Sequence, residues 1–279
     1  MDLGVQESEQ KVSNIELRPT YWASFSGGKD SLFMIRYILE NLDKYPLDGV
    51  VHFELSIDFP FIKNVVNYVE DELGRFGIPM MRIKPRISWE ELYARYGYPT
   101  RKSRWCNKWK LDAKKQLNEM MIAQGKRVIH YIGFCADEER RFVSQLNDRR
   151  PNVTQIYPLA EAGIEEATIL EWAKDVPIFN GYYNSNKRCG CMCCPMASLD
   201  NLVYAKSNYP EQYDHFMHLA QMTEEKLGEQ LGRAFSVWSS NAKYNTAYKM
   251  RRVDQIIEER DRQMKFEWLD LGNYIESEG

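Results

Sequence analysis

No apolar run in this 279-residue chain approaches the ~20 residues that a membrane-spanning helix needs, so the sequence predicts no transmembrane segment and no membrane partner. The first nineteen residues are polar and lack the apolar core of a secretion signal. Residues 1–19 are therefore expected to form a loose arm, and the protein is expected to stay in the cytoplasm. An excess of one charge is also missing: the net charge is −3, which gives no bulk attraction to nucleic acid and leaves such binding to a local patch. Histidine is scarce. His215 and His218 stand three apart without a partner motif and read as surface or packing residues. No repeat or low-complexity segment occurs, and 44% hydrophobic with 28% charged residues is the balance of a globular protein.

Cysteine is absent beyond position 194 but concentrated just before it. Cys106 and Cys135 stand alone, whereas Cys189, Cys191, Cys193 and Cys194 fall within one short segment. In a reducing cytoplasm such thiols point to metal binding or chemistry before disulfides. Cys191 and Cys194 have the C-x-x-C spacing that lets two thiolates hold one metal or two corners of a cluster. Cys135, in a strand-like run, is expected to be a small buried hydrophobe.

Strand-like and helix-like segments alternate through the first two thirds. Strands are expected over Tyr21–Phe25, Val50–Ile57, Met80–Ile83, Val128–Phe134 and Gln155–Leu159. Helices are expected over Ser31–Leu42, Phe61–Phe76 and Leu111–Gln124, the first with Leu32, Ile35, Leu39 and Leu42 on one face. This alternation predicts an α/β protein with a doubly wound parallel sheet. Leu199–Arg233 and Tyr244–Trp268 read as charged helices, so residues 201–279 are expected to form a helical C-terminal appendage.

At the first strand–helix junction stands Ser26-Gly27-Gly28-Lys29-Asp30-Ser31. The glycines allow a tight turn and a close backbone approach to a ligand. The helix that follows offers free N–H groups and a positive dipole end to an anion. Ser26, Ser31 and Lys29 add donors, and Asp30 suits a helix cap or a magnesium ion. The spacing is neither a Walker A loop nor G-x-G-x-x-G.

The string S-G-G-K-D-S resembles the PP-loop of the N-type ATP pyrophosphatase superfamily. The resemblance implies an adenine nucleotide alpha hydrolase-like fold that binds ATP with Mg2+, splits it between the α- and β-phosphates and adenylates an acceptor, with Lys29 neutralising phosphate charge. Four further stretches resemble one branch, the phosphoadenosine phosphosulfate (PAPS) reductase family. They are "HFELSIDFP", with an acid at Asp58 near the nucleotide; "RWCNKWKLDAKKQL", a cysteine followed by a basic helix; "YIGFCADEERRF", with Asp137, Glu138, Arg140 and Arg141 after a strand; and a segment ending in Arg188-x-Gly190-Cys191-x-x-Cys194-Pro195. The likeness covers residues 20–200.

In the resembling family a cysteine at the position of Cys106 joins the distal C-x-x-C, and members with a [4Fe–4S] cluster carry a Cys-Cys pair upstream. Here Trp105 replaces the first of that pair, leaving Cys106, Cys191 and Cys194 as the matching three. Cys189 is preferred as the fourth ligand over Cys193, whose side chain should diverge from that of its neighbour Cys194; an external sulfur is an alternative. A structural zinc on the same thiols is the rival.

Residues 101–115 carry Arg101, Lys102, Arg104, Lys108, Lys110, Lys114 and Lys115 against Asp112, interleaved with Trp105 and Trp109. A pocket for phosphate or sulfate ranks first for this segment, a solvated helix face second and polynucleotide third. With Glu138, Arg141 and Arg188 it is expected to hold the phosphate of substrate. The favoured activity is adenylation coupled to sulfur transfer, with RNA or DNA as acceptor and a sulfur-donor protein as partners. One alternative is a PAPS or APS reductase, which needs a C-terminal nucleophilic cysteine and usually lacks the Lys-Asp pair. Another is a nucleotide sensor with a zinc knot.

Overall fold

The computed structural model describes residues 17–139, 141 and 152–277. Arg140 and residues 1–16 of the expected arm lie outside the described residues. Five strands form one parallel sheet in the order β3-β2-β1-β4-β5: β1 Arg18–Phe25, β2 Gly49–Phe53, β3 Met80–Ile83, β4 Lys126–Tyr131 and β5 Val153–Ile156. The chain steps outward from β1 to β3, then returns to lay β4 on the other side of β1. That reversal opens a crevice between the carboxyl ends of β1 and β4, where ligands bind in open parallel sheets.

Both faces of the sheet are covered, as period-two alternation in buried strands requires. Ala23, Phe25, Val50 and Tyr131 point to the larger core. There they meet α1 (Lys29–Leu39), α2 (Pro60–Arg75) and α5 (Glu166–Lys174) through residues such as Ile35, Val65 and Ile169. Trp22, Val51 and Val128 point to the other face, against Ala113, Leu117 and Met121 of α4 (Trp105–Ala123).

The element ends differ from the sequence reading for physical reasons. β2 stops at Phe53, not Ile57, because the short β3 offers no partner past the Phe53–Ile83 pair. β4 stops at Tyr131 because the chain then passes over the start of α1. A Cβ on Gly133 would lie 2.9 Å from the Asp30 carbonyl oxygen. β5 ends at Ile156, and Pro158, which has no N–H to give a ladder, opens a helical turn. Arg18 and Pro19, expected in the arm, pair with Lys126 and Arg127. α4 starts at Trp105, six residues earlier than expected, which places Cys106 in its first turn. The short α3 (Trp89–Tyr96) went unread, although Ser88 and Glu91 form a reciprocal capping box at its start.

The expected long helix from Leu199 is two helices, α6 (Leu199–Asn208) and α7 (Pro210–Leu231). Pro210 has no N–H and forces Tyr209 out of helical geometry, to φ −141°. These helices and α8 (Thr246–Ser277) add Leu202, Tyr213, Phe216 and Val253 to the larger core, which Trp238, from the segment between α7 and α8, also joins. Phe216 packs edge-on against Trp89 at 5.7 Å. Among the described residues, no helix is long and apolar enough to cross a membrane.

Candidate active site

The glycine loop sits at the carboxyl end of β1. Gly27 has φ +77°, a left-handed conformation, and a Cβ there would come within 2.6 Å of Ile62 Cγ2, so only glycine fits. Gly28 is the N-cap residue of α1. The loop is braced from within: Ser31 Oγ donates to the Gly28 carbonyl at 3.0 Å, accepts the Ser26 N–H at 3.2 Å and lies 3.0 Å from Ser26 Oγ. From outside, the Tyr183 hydroxyl accepts the Lys29 N–H at 2.9 Å, at the helix N-terminus where an anion is favoured.

Beside the loop lies a cleft of about 420 Å³. Ser26, Gly28, Asp30, Ser31, Asp58, Lys110, Arg141, Arg188, Cys189 and Cys191, all singled out in the sequence, line it. Phe25, Phe53, Leu55, Ile62 and Ile132 supply apolar wall. Asp58 is half-buried and receives no side-chain hydrogen bond among the described residues. Burial pushes its carboxyl up to about 7, against the pull of the Lys110 ammonium.

Lys29 is placed otherwise than the resemblance implied. Its side chain is 1% exposed and its ammonium lies off the cleft wall, 2.6 Å from Asp30 Oδ1 and 3.2 Å from Glu166 Oε1. Arg188 donates to Glu166 and to the buried Glu138, and Arg141 donates to Glu138 as well. Lys29, Arg141 and Arg188 are thus balanced by Asp30, Glu138 and Glu166. Arg188 hydrogen bonds hold the Glu166 carboxyl below its ordinary range, with Lys29 helping. Burial pushes Asp30 up, with Lys29 pulling it back. A substitution that removes one carboxylate leaves net positive charge beside the loop. Glu166→Gln is accordingly expected to tighten ATP binding by about tenfold in calorimetric titration; weaker binding would mean that Glu166 acts chiefly by holding Arg188 in place.

Cys189 and Cys191 line the cleft between the loop and Lys110 of α4. Lys110 Nζ donates to Cys191 Sγ, and burial pushes Cys191 up to about 11, with Lys110 acting against it. Cys106 is likewise pushed up by burial, opposed by Lys110 and reinforced by Cys194. The Cys191–Cys194 segment is a tight turn with Cys193 at φ +53°, the Cys194 N–H on the Cys191 carbonyl, and the Met196 N–H on Cys194 Sγ at 3.5 Å. Cys193 is fully buried and its carbonyl accepts from Tyr98 at 2.7 Å. Cys189 lies against Gly28 and Tyr182. Cys135 is buried, as expected of a small hydrophobe.

In kind this donor set suits metal–sulfur ligation: three thiols on two facing elements, with an ammonium and an amide N–H to offset thiolate charge. In position it is not closed, because among the described residues no three Cys, His, Asp or Glu side chains are grouped around one ion.

The basic segment is divided by its own helix. Lys110 faces the cleft, whereas Arg104 and Lys108 line a second groove on the other side of α4. The backbone of Arg101 is tied to Val237, and Arg101 lines neither. His215 and His218 are exposed. The sequence reading missed Gly133, Glu166 and Tyr183. A glycine just past the end of β4, at the reversal of strand order, was a readable signal for the first; nothing local marks the other two.

The phosphoadenosine phosphosulfate reductase domain model matches residues 20–197. Two proteins of Methanocaldococcus jannaschii, MJ0066 and MJ0973, both described as uncharacterized, are 26% and 24% identical over 82% and 86% of this chain. The chain spans about half of their length, 50% and 55% respectively. Among solved structures, the U34-tRNA thiolase NcsA from Methanococcus maripaludis with its [4Fe-4S] cluster aligns at a TM-score of 0.40 and 14% identity, over 87% of this chain and 73% of that one.

Proposed function

Because the chain belongs to the phosphoadenosine phosphosulfate reductase domain family, we propose that it is an ATP-dependent enzyme that adenylates an acceptor, releases pyrophosphate and couples this to sulfur transfer. The observation that carries this reading is the shared cleft: the glycine loop and two of the clustered cysteines, Cys189 and Cys191, line the same cavity. The N-terminus of α1 and the hydroxyls of Ser26 and Ser31 hold the departing pyrophosphate. Asp30 and Asp58 hold the magnesium that accompanies ATP. An acceptor oxygen attacks the α-phosphorus, the bond to the bridging oxygen breaks, and pyrophosphate leaves with that electron pair. Sulfur from a donor then displaces AMP from the activated acceptor.

Cys106, Cys191 and Cys194, with Cys189 or an external sulfur as the fourth ligand, would hold a [4Fe–4S] cluster, which supplies a site that binds sulfur and passes it on. Lys110 offsets the thiolate charge there. Protein purified without oxygen is expected to contain about four iron and four sulfide per chain, and Cys191→Ala to lose most of both. One zinc and no iron would make the cysteines a structural knot and remove the sulfur half of the proposal.

A further inference from the structure

The groove on the far side of α4 has a cavity of about 710 Å³, within the range of ligand sites, and the adenylation cleft does not include it. Its floor is aromatic. The indole N–H groups of Trp105 and Trp109 are taken by the carbonyls of Gly97 and Ile87. Trp109 is buried beneath the groove, whereas the half-buried Trp105 offers a ring face without a free donor. Tyr96 stands beside Trp105, ring centroids 6.3 Å apart, and is 62% exposed. At the rim, Arg86 is neutralised by Asp112 and Glu119. Arg104 and Lys108 are exposed and form no ion pair among the described residues. They stand at the start of the 19-residue α4, whose first turn holds no acidic residue, so the helix dipole adds to their positive field.

Flat apolar faces beside uncompensated cations match a ligand that alternates rings with anions. We propose that this groove binds single-stranded nucleic acid, a base stacking on Tyr96 and Trp105 while flanking phosphates meet Arg104 and Lys108. A duplex keeps its bases stacked inside and cannot present a ring to Tyr96. Lys108 and Lys110 face opposite sides of one helical turn, so the strand lies one helix away from the glycine loop and the thiols. The inference names the acceptor class of the proposed activity and rests on that reading for its link to chemistry; the binding itself does not.

The test is fluorescence anisotropy with labelled 12-residue oligo(U) and oligo(dT), without ATP, so that failure of the adenylation reading leaves the result intact. Single strands are expected to bind more tightly than a 12-base-pair duplex, and the tighter of the two sugars identifies the acceptor. Tyr96→Ala is expected to weaken binding about tenfold, the loss a single stacked base gives, with Tyr96→Phe near wild type. Arg104→Gln and Lys108→Gln are each expected to lower the salt slope by about 0.7. Affinity unchanged by Tyr96→Ala, or duplex bound as tightly as single strands, would overturn the proposal.

Discussion

Lys29→Ala is expected to lower pyrophosphate release from ATP by about a hundred- to a thousandfold, the scale seen when one preorganised charge partner is lost from a reacting centre. The reason differs from direct contact with phosphate. The Lys29 ammonium is buried against Asp30 and Glu166, and it balances carboxylates that would otherwise face the phosphates from behind the loop. Without it, Asp30, Glu138 and Glu166 outnumber Arg141 and Arg188, and ATP meets a negative field. Affinity for ATP should fall together with rate, and a thermal melt should show the variant still folded. A variant that bound and split ATP like the wild type would remove Lys29 and its carboxylate partners from the mechanism.

Gly133→Ala is expected to lower stability by about 2–3 kcal/mol, roughly a 5 °C fall in melting temperature, and to abolish ATP binding. The added Cβ would lie 2.9 Å from the Asp30 carbonyl oxygen and 3.2 Å from Ser31 Cα. Both are backbone atoms of the glycine loop and its helix, which cannot swing aside as a side chain can. Relief requires β4 to part from α1, and that widens the crevice in which the phosphates sit. Gly125→Ala is a useful contrast: Gly125 has open space around it and φ +70°, so its cost is backbone strain alone, far from the loop. Calorimetric melting with and without ATP separates the two; equal effects would mean that the approach of β4 to the loop has no bearing on nucleotide binding.

The glycine loop was legible because all its parts are local: two glycines, two hydroxyls and a helix start within six residues. The doubly wound sheet was legible for a similar reason, since each strand and helix carries its own period. Strand ends were not, because the length of β2 is decided by β3 and the end of β4 by the crossing over α1. Glu166 and Tyr183 reach the loop from 137 and 154 residues away, and no local pattern sets Glu166 apart from Glu165 or Glu161. The basic segment read as one patch, but on a helix Lys108 and Lys110 are turned to opposite sides, and one run became two surfaces. Among the cysteines, spacing named the residues but not their directions. The left-handed Cys193 turns its side chain into the core, while Cys189 reaches the loop.

The most direct test of the central claim is phosphorus NMR of ATP and magnesium incubated with the wild-type protein, a sulfur donor and single-stranded RNA or DNA. AMP and pyrophosphate appearing in equal amounts is the predicted result. ADP and orthophosphate in their place would contradict cleavage between the α- and β-phosphates, and with it the role assigned to the loop.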